Sequence, residues 1–453
     1  MNKPHTSLFA RLAAACAALA ALAMPAAMGQ NAMNTPFSQF GIGSSEQPFN
    51  MPMVSRMGGV AYTTSTSNSV NPFNPASYGA VESESFVFDM GVSLQGSLLR
   101  NNEESLFDAD GTLGYLLVAM PLTGWWKLAG GLMPYTTVDY ESVHTGTDPT
   151  YPGTVRTVYD GTGGVNQAFV GMAFNVLRGT EHRPDVQVGF NVNWLTGRID
   201  RAISYAFNGN DSTYYLNKRR YKQTTVSNLM PDFGLQARQQ LGGGYSLGLG
   251  VVYKPGLDSH VKDMAIVYTY HPSDESLVDT IFPARGGDSE FESSIERAST
   301  LGAGLSLTRE KQWTLAFDAT FAQWQGMKYT EGREPSIFGS SSLRYGAYSN
   351  YALGFERKGD MDGDSYWRRI TWSLGTHYTR GALRLEIDGA GQRIDEWGLG
   401  CGVSLPMRKG RSLLTVSASY SSLGKASLLR RDVFTLGIAV SSCERWFVKK
   451  KYN

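Results

Sequence analysis

Behind residue 84 the chain breaks into short runs in which apolar and polar side chains alternate. Phe86, Phe88, Met90, Val92 and Leu94 alternate with Val87, Asp89, Gly91, Ser93 and Gln95. Val186, Val188, Phe190, Val192 and Trp194 oppose Gln187, Gly189, Asn191 and Asn193, and Trp313, Leu315, Phe317, Ala319 and Phe321 oppose Thr314, Ala316, Asp318 and Thr320. Ile370, Trp372, Leu374 and Tyr378 likewise oppose Thr371, Ser373, Gly375 and His377. A period of two places successive side chains on opposite faces of a strand. Fourteen such segments are present, approximately 85–100, 111–121, 125–141, 164–178, 185–207, 213–240, 245–270, 290–308, 312–328, 343–358, 368–380, 391–406, 412–423 and 429–448. A face of oil and a face of polar groups, repeated to the C-terminus, suit a wall between lipid and water. The prediction is an all-β fold, a transmembrane antiparallel β-barrel of about 14 strands.

Alternation alone also fits a soluble sandwich, and the connections separate the two. One set is mostly tight, as at Leu122-Thr123-Gly124, Gly242-Gly243-Gly244 and Arg309-Glu310-Lys311. The other set is often long and polar, as at 142–163, 271–289 and 329–342. Short turns inside and long loops outside mark an outer-membrane barrel, with both chain ends on the periplasmic side. Trp125, Trp126, Tyr135, Tyr140, Trp313, Trp324, Trp367, Trp397, Trp446 and Phe447 fall near strand ends, where amphipathic rings settle at a membrane interface.

The first 29 residues read as a secretory signal peptide. Lys3 and Arg11 precede an apolar core over 12–24, and Ala27-Met28-Gly29 offers small residues for cleavage before Gln30. No later run reaches the ~18 apolar residues of a spanning helix. Low hydropathy does not oppose a barrel, because only every second residue of its strands meets lipid. The chain carries 41 basic and 40 acidic residues. Loss of the leader removes two bases and leaves a mature charge of −1, so nucleic acid is not an expected partner.

Residues 30–84 are rich in Gly, Ser, Asn and Pro, with Phe37, Phe40, Phe49, Met57 and Phe73 at irregular spacing. A fourteen-stranded lumen is too wide for side chains alone to fill. The segment is therefore expected to sit inside as a plug, its apolar residues touching the inner wall or a ligand. Three domains follow: the leader 1–29, the plug 30–84 and the barrel 85–453.

The plug ends in Asn74-Pro75-Ala76. Signal peptide, N-terminal hatch closing on that tripeptide, and about fourteen strands resemble the FadL family of outer-membrane transporters of hydrophobic compounds. The resemblance implies passive uptake of a small molecule such as a long-chain fatty acid, held in an apolar lumenal pocket. It also implies lateral release through a gap beside a kinked strand. Pro134, within Met133-Pro134-Tyr135, is the expected strand break, since proline cannot donate to a sheet. The alternative, from members of this fold that serve secretion systems, is an accessory scaffold for secreted or surface-attached proteins.

No enzyme is expected. Ser373 and His377 share a polar face but stand four residues apart along a strand, about 13 Å. No cofactor is required. Asp360, Asp362 and Asp364 evoke a calcium loop, but Thr371 stands where the closing acid is needed, so no metal is expected. Cys401 and Cys443 are expected to be free thiols on strands too far apart to bridge. The expected partners are outer-membrane lipid and a hydrophobic ligand, with secretion-system proteins under the alternative. The protein is expected to be a monomer.

Overall fold

A computed structural model describes residues 36–445, apart from 40, 45–50, 102–103, 148–150, 152, 209–214, 273–274, 283–287, 325–328, 331–343, 362, 388–389, 408–410 and 426–428. The expected leader, Phe40, Phe49, Trp446 and Phe447 lie outside the described residues.

Among the described residues, alternating β-branched, aromatic and small side chains form nineteen strands in one antiparallel sheet. The first six are long: β1 (Ser85–Arg100), β2 (Ser105–Pro121), β3 (Trp126–Thr147), β4 (Thr154–Leu177), β5 (Asp185–Asn208) and β6 (Asn217–Gly242). The middle is segmented into β7 (Tyr245–Lys254), β8 (Ser259–Tyr270), β9 (Leu277–Phe282), β10 (Glu290–Ile295), β11 (Thr300–Arg309), β12 (Trp313–Gln323), β13 (Tyr329–Thr330), β14 (Arg344–Tyr345) and β15 (Ala347–Arg357). Long strands return with β16 (Thr371–Ile387), β17 (Ala390–Met407), β18 (Ser412–Lys425) and β19 (Leu429–Arg445). β7 with β8, β12 with β13 and β14 with β15 are each one wall strand in two pieces, and β9, β10 and β11 are one wall strand in three, β9 and β10 lying in turn along β8 and β11 along β7. The wall is a closed 14-strand antiparallel barrel. β1 zips to β19 from Ser85↔Arg445 to Arg100↔Arg430 and closes it.

The break between β7 and β8 falls at Pro255-Gly256, where the missing N–H interrupts the ladder. The lower half of β6 pairs with β7 and its upper half with β8.

Side chains sort by parity. On β1, Ser85, Val87, Asp89, Ser93, Gln95 and Ser97 face inward and are buried, while Leu94 on the outer face is exposed. Trp125, Trp126 and Phe174 stack at the rim with the short turns, with ring centroids 5.8–6.3 Å apart. Trp397, Tyr420 and Phe434 form the matching belt near the other rim, at 5.5 and 4.9 Å. Such a wall, apolar outside and girdled at both rims, belongs to the bacterial outer membrane.

Two expectations need correction. The stretch 142–163, read as a loop, is mostly ladder: β3 runs on to Thr147 and β4 starts at Thr154, paired as far as Thr147↔Thr154. Beyond the membrane both faces of this hairpin are wet, so alternation fades while β-branched residues keep the strands extended. Tyr135, Tyr140 and Trp324 are not rim residues. Tyr135 and Trp324 face a lumenal chamber, and Tyr140 is buried in an apolar cluster with Val138, Val165 and Ile199.

Candidate functional site: the lumenal chamber and the seam beside it

Residues 51–84 are tied to inward-facing groups of β1, β5, β6, β12, β15, β16 and β18. Pro52–Ser55 forms one helical turn with Pro52 at its start, where its missing N–H costs nothing. Ser55 Oγ donates to Ser417 Oγ on β18 at 3.0 Å. Arg56 forms an ion pair with Glu356 on β15 at 2.6 Å and a hydrogen bond to Ser373 on β16. The amides of Ala61 and Tyr62 both donate to Asp318 Oδ2 on β12, at 2.6 and 2.8 Å. Tyr62 Oη meets Thr320 Oγ1 at 2.7 Å, and burial pushes its hydroxyl pKa up to about 12. Tyr78 is 1 % exposed, and its hydroxyl donates to Asn191 on β5 at 3.0 Å. Burying an aromatic ring of this size stabilises by about 1.5–3 kcal/mol, and the hydroxyl bond removes the polar penalty.

Asn74, Pro75 and Ala76 sit at the β5–β6 wall. Asn74 Oδ1 accepts from the amide of Ala76 at 3.1 Å and caps the 3-10 turn Pro75–Ala80. Its Nδ2 donates to the carbonyls of Tyr62 at 2.7 Å and Leu235 at 3.2 Å. One side chain thus joins the turn, the preceding lumenal chain and the wall. Close approach depends on glycine: a Cβ at Gly189 would lie 2.5 Å from the Pro75 carbonyl, and one at Gly234 would strike Asn74. Gly375 and Gly400 form a similar floor under Met57 and Gly58. Gly58 itself has φ +66°, a backbone that other residues rarely adopt.

Above this segment is a chamber of about 440 Å³. Phe37, Tyr62, Phe73, Tyr135, Trp324 and Tyr348 supply its aromatic lining. Lys254, Arg297, Asp318, Glu396 and Arg431 supply its charges, and the His377 imidazole also lines it. Of the plug residues singled out in the sequence, Phe37 and Phe73 line this chamber. Met57 does not, and packs instead on Val60, Ala316 and Ala352. Ser373 is engaged by Arg56, and His377 Nε2 lies 3.6 Å from Glu396 Oε1, so no Ser–His pair forms. Among the described residues no group of acidic, His and Cys side chains is arranged to hold a metal.

The wall changes beside the chamber. β2 and β3 pair only from Leu116↔Leu132 to Pro121↔Lys127. Beyond Leu132 each continues with its other neighbour, β2 with β1 and β3 with β4, and a seam separates them. Pro134 lies one residue past Met133 at the head of this seam, at a bulge in the β3–β4 ladder between Pro134 and Thr136. The chain's own N-terminal segment occupies the β3 edge. Ser44 and Thr137 exchange backbone hydrogen bonds of 2.9 and 3.0 Å, and Thr136 Oγ1 donates to the carbonyl of Ile42 at 2.6 Å. Ser38 Oγ accepts from the amide of Asp139 at 3.0 Å. Proline in β3 was legible from sequence. The glycine floors and the strap formed by residues 36–39 and 41–44 were not, because both depend on which distant segments meet.

The sequence profile of the BamG family matches residues 12–453. Among solved structures, the monoaromatic hydrocarbon channel CymD superposes with a TM-score of 0.52 at 13% identity, over 87% of this chain and 97% of the channel. A Pseudomonas aeruginosa FadL homologue gives 0.52 at 13% identity, over 88% and 98%. The Pseudomonas putida toluene transporter TodX gives 0.51 at 13% identity, over 88% and 98%. A sequence comparison with curated proteins finds no match. At this identity the structural likeness establishes a shared FadL-type barrel fold.

Proposed function

Since the chain belongs to the BamG family and folds as a FadL-type barrel of the outer membrane, we propose that it is a passive conduit for hydrophobic small molecules. The observation that carries this reading is the aromatic-lined chamber of about 440 Å³ beside a wall seam that begins past Leu132, next to Pro134. Apolar transfer, about 25 cal/mol per Å² buried, would hold a ligand on Phe37, Phe73, Tyr135 and Trp324. Charged groups stand among these rings, with Arg297 over the Tyr135 ring at 5.4 Å and Asp318 beside Tyr62, and favour a molecule with a polar group over a bare hydrocarbon. In this reading residues 30–84 act as the hatch, and Asn74-Pro75-Ala76 anchors it. Displacing the strap formed by residues 36–39 and 41–44 would open a sideways path between β2 and β3. Named relatives of this fold carry aromatic hydrocarbons or toluene, and long-chain fatty acids are the other expected class.

A second reading, an accessory scaffold for secreted or surface-attached proteins, is favoured by the plug–wall contacts. Arg56 with Glu356, Asp318 with two amides, and Asn74 with two carbonyls are buried bonds. Breaking one such bond leaves a buried group unsatisfied at a cost of about 1–3 kcal/mol, so a fixed plug is expected if no ligand moves it. Mass spectrometry of small molecules extracted from the detergent-purified barrel separates the two. Stoichiometric acyl or aromatic ligand, lost in Phe73→Asp, supports the conduit. An empty chamber with co-purifying surface proteins would replace it by the scaffold.

A further inference from the structure

On the outer face, just beyond the belt of Tyr378, Trp397, Tyr420 and Phe434, four arginines form an arc across β16, β17, β19 and β1. Arg380 pairs in register with Asp395. Arg393 follows two residues before Asp395 on the same face, and both arginines act electrostatically on the Tyr378 hydroxyl. Arg430 pairs with Arg100 on β1 and with Gly424 on β18. Gly424 contributes no side chain between the two arginine pairs. At ~4.8 Å per strand the arc spans roughly 19 Å.

Its two carboxylates are held back by tyrosines. Asp432 accepts from Tyr420 Oη at 2.8 Å and from Arg430 Nε at 2.9 Å, with Arg100 at 3.7 Å. Asp395 accepts from Tyr378 Oη at 3.2 Å through Oδ2. Four guanidinium groups against two carboxylates leave an excess of positive charge beside apolar wall. Arg393 Nε and Asp395 Oδ1 are buried without a hydrogen-bond partner. An unsatisfied guanidinium donor in an arginine-rich arc calls for an anion with several acceptor oxygens. The same Arg–Asp–Tyr latch recurs on β5–β6, where Arg198 Nε lies 2.9 Å from Asp200 and Tyr221 Oη donates to Asp200 at 2.5 Å. There Arg198 is flanked in register by Gly164 and Thr225, and no arc forms.

We propose that the arc of Arg100, Arg380, Arg393 and Arg430 binds the phosphate groups of a phosphorylated glycolipid in the outer leaflet. The planar fork of arginine matches phosphate. The position fixes the source, because a headgroup held there lays its acyl chains along the lipid-facing Leu399 and Leu436 below. The site depends on the outer-membrane setting of the barrel and not on what the chamber carries.

The test uses the full mature barrel in detergent, titrated with bisphosphorylated lipid A, its dephosphorylated form, or inorganic phosphate. Binding should need the phosphates, and should weaken about tenfold or more in Arg380→Gln/Arg393→Gln and in Arg100→Gln/Arg430→Gln, each pair removing charge-assisted bonds. Arg198→Gln should bind as wild type. Heat-modifiable migration confirms that each variant keeps its barrel, and the dephosphorylated lipid tests the site with no variant. Equal binding of the two lipid forms, unchanged affinity in both double variants, or inorganic phosphate binding as tightly as the lipid would overturn the proposal.

Discussion

Two neighbouring joints of the same wall behave differently. Between β1 and β19, the ends of the chain, pairing is unbroken from Ser85↔Arg445 to Arg100↔Arg430. Between β2 and β3, adjacent in sequence and joined by a short turn, it stops at Leu116↔Leu132. Proximity along the chain therefore does not decide where the barrel is tight. Local chemistry does: Met90, Val92 and Leu94 meet Val440, Ile438 and Leu436 on a regular pleat, whereas β3 carries Gly130, Gly131 and Pro134 at the point of parting. The seam is also filled from within, by a strap that satisfies part of the β3 edge.

The largest test of this contrast is deletion of residues 30–76, which removes both strap and plug. Planar-bilayer recording should then show a large steady conductance absent from the full chain, and equal conductance would discard the plug. Next is Asp318→Ala. It strips the buried Ala61 and Tyr62 amides of their acceptor and should cost roughly 2–4 kcal/mol of stability, read as a lower denaturation midpoint and faster proteolysis in 51–84. A third probe pins the strap. Ser44→Cys with Thr137→Cys, in a chain whose Cys401 and Cys443 are replaced by Ser, joins a hydrogen-bonded pair whose Cα atoms stand about 5.5 Å apart. Oxidation should slow ligand exchange and reduction restore it; exchange indifferent to the bond means that the seam is not the route. The smallest effect belongs to Pro134→Ala, which returns a backbone donor to β3. Amide exchange at Gly114 and Tyr115 should slow severalfold, and no change would assign the seam to the strap alone.

Much of the wall was legible because lipid on one side and a polar lumen on the other impose a strict period of two. Asp89 and Ser93 turned inward and Met90 and Leu94 outward as their order implies. Reading failed where that constraint lapses. Past Glu141 both faces of β3 meet water, so the ladder to Thr147 left no alternation to find. Trp324 teaches a different lesson. It shares parity with Asp318 and Thr320 and so faces the chamber, a signal present in the sequence but outweighed by its place near a strand end. The seat of Asn74 could not be read at all, since Gly189 and Gly234 are remote in sequence and ordinary as strand residues.

The zipped junction of β1 and β19 also bears on how the barrel is assembled. β19 is the last wall strand to leave the ribosome, and the stretch that fills the lumen directly precedes β1. Pro75 and Met57 are seated against bare backbone at Gly189 and Gly375, so the stretch touches the wall at points where no side chain could stand between them. A wall that wraps around this stretch and seals its final ladder last would form both contacts without forcing them past a closed rim.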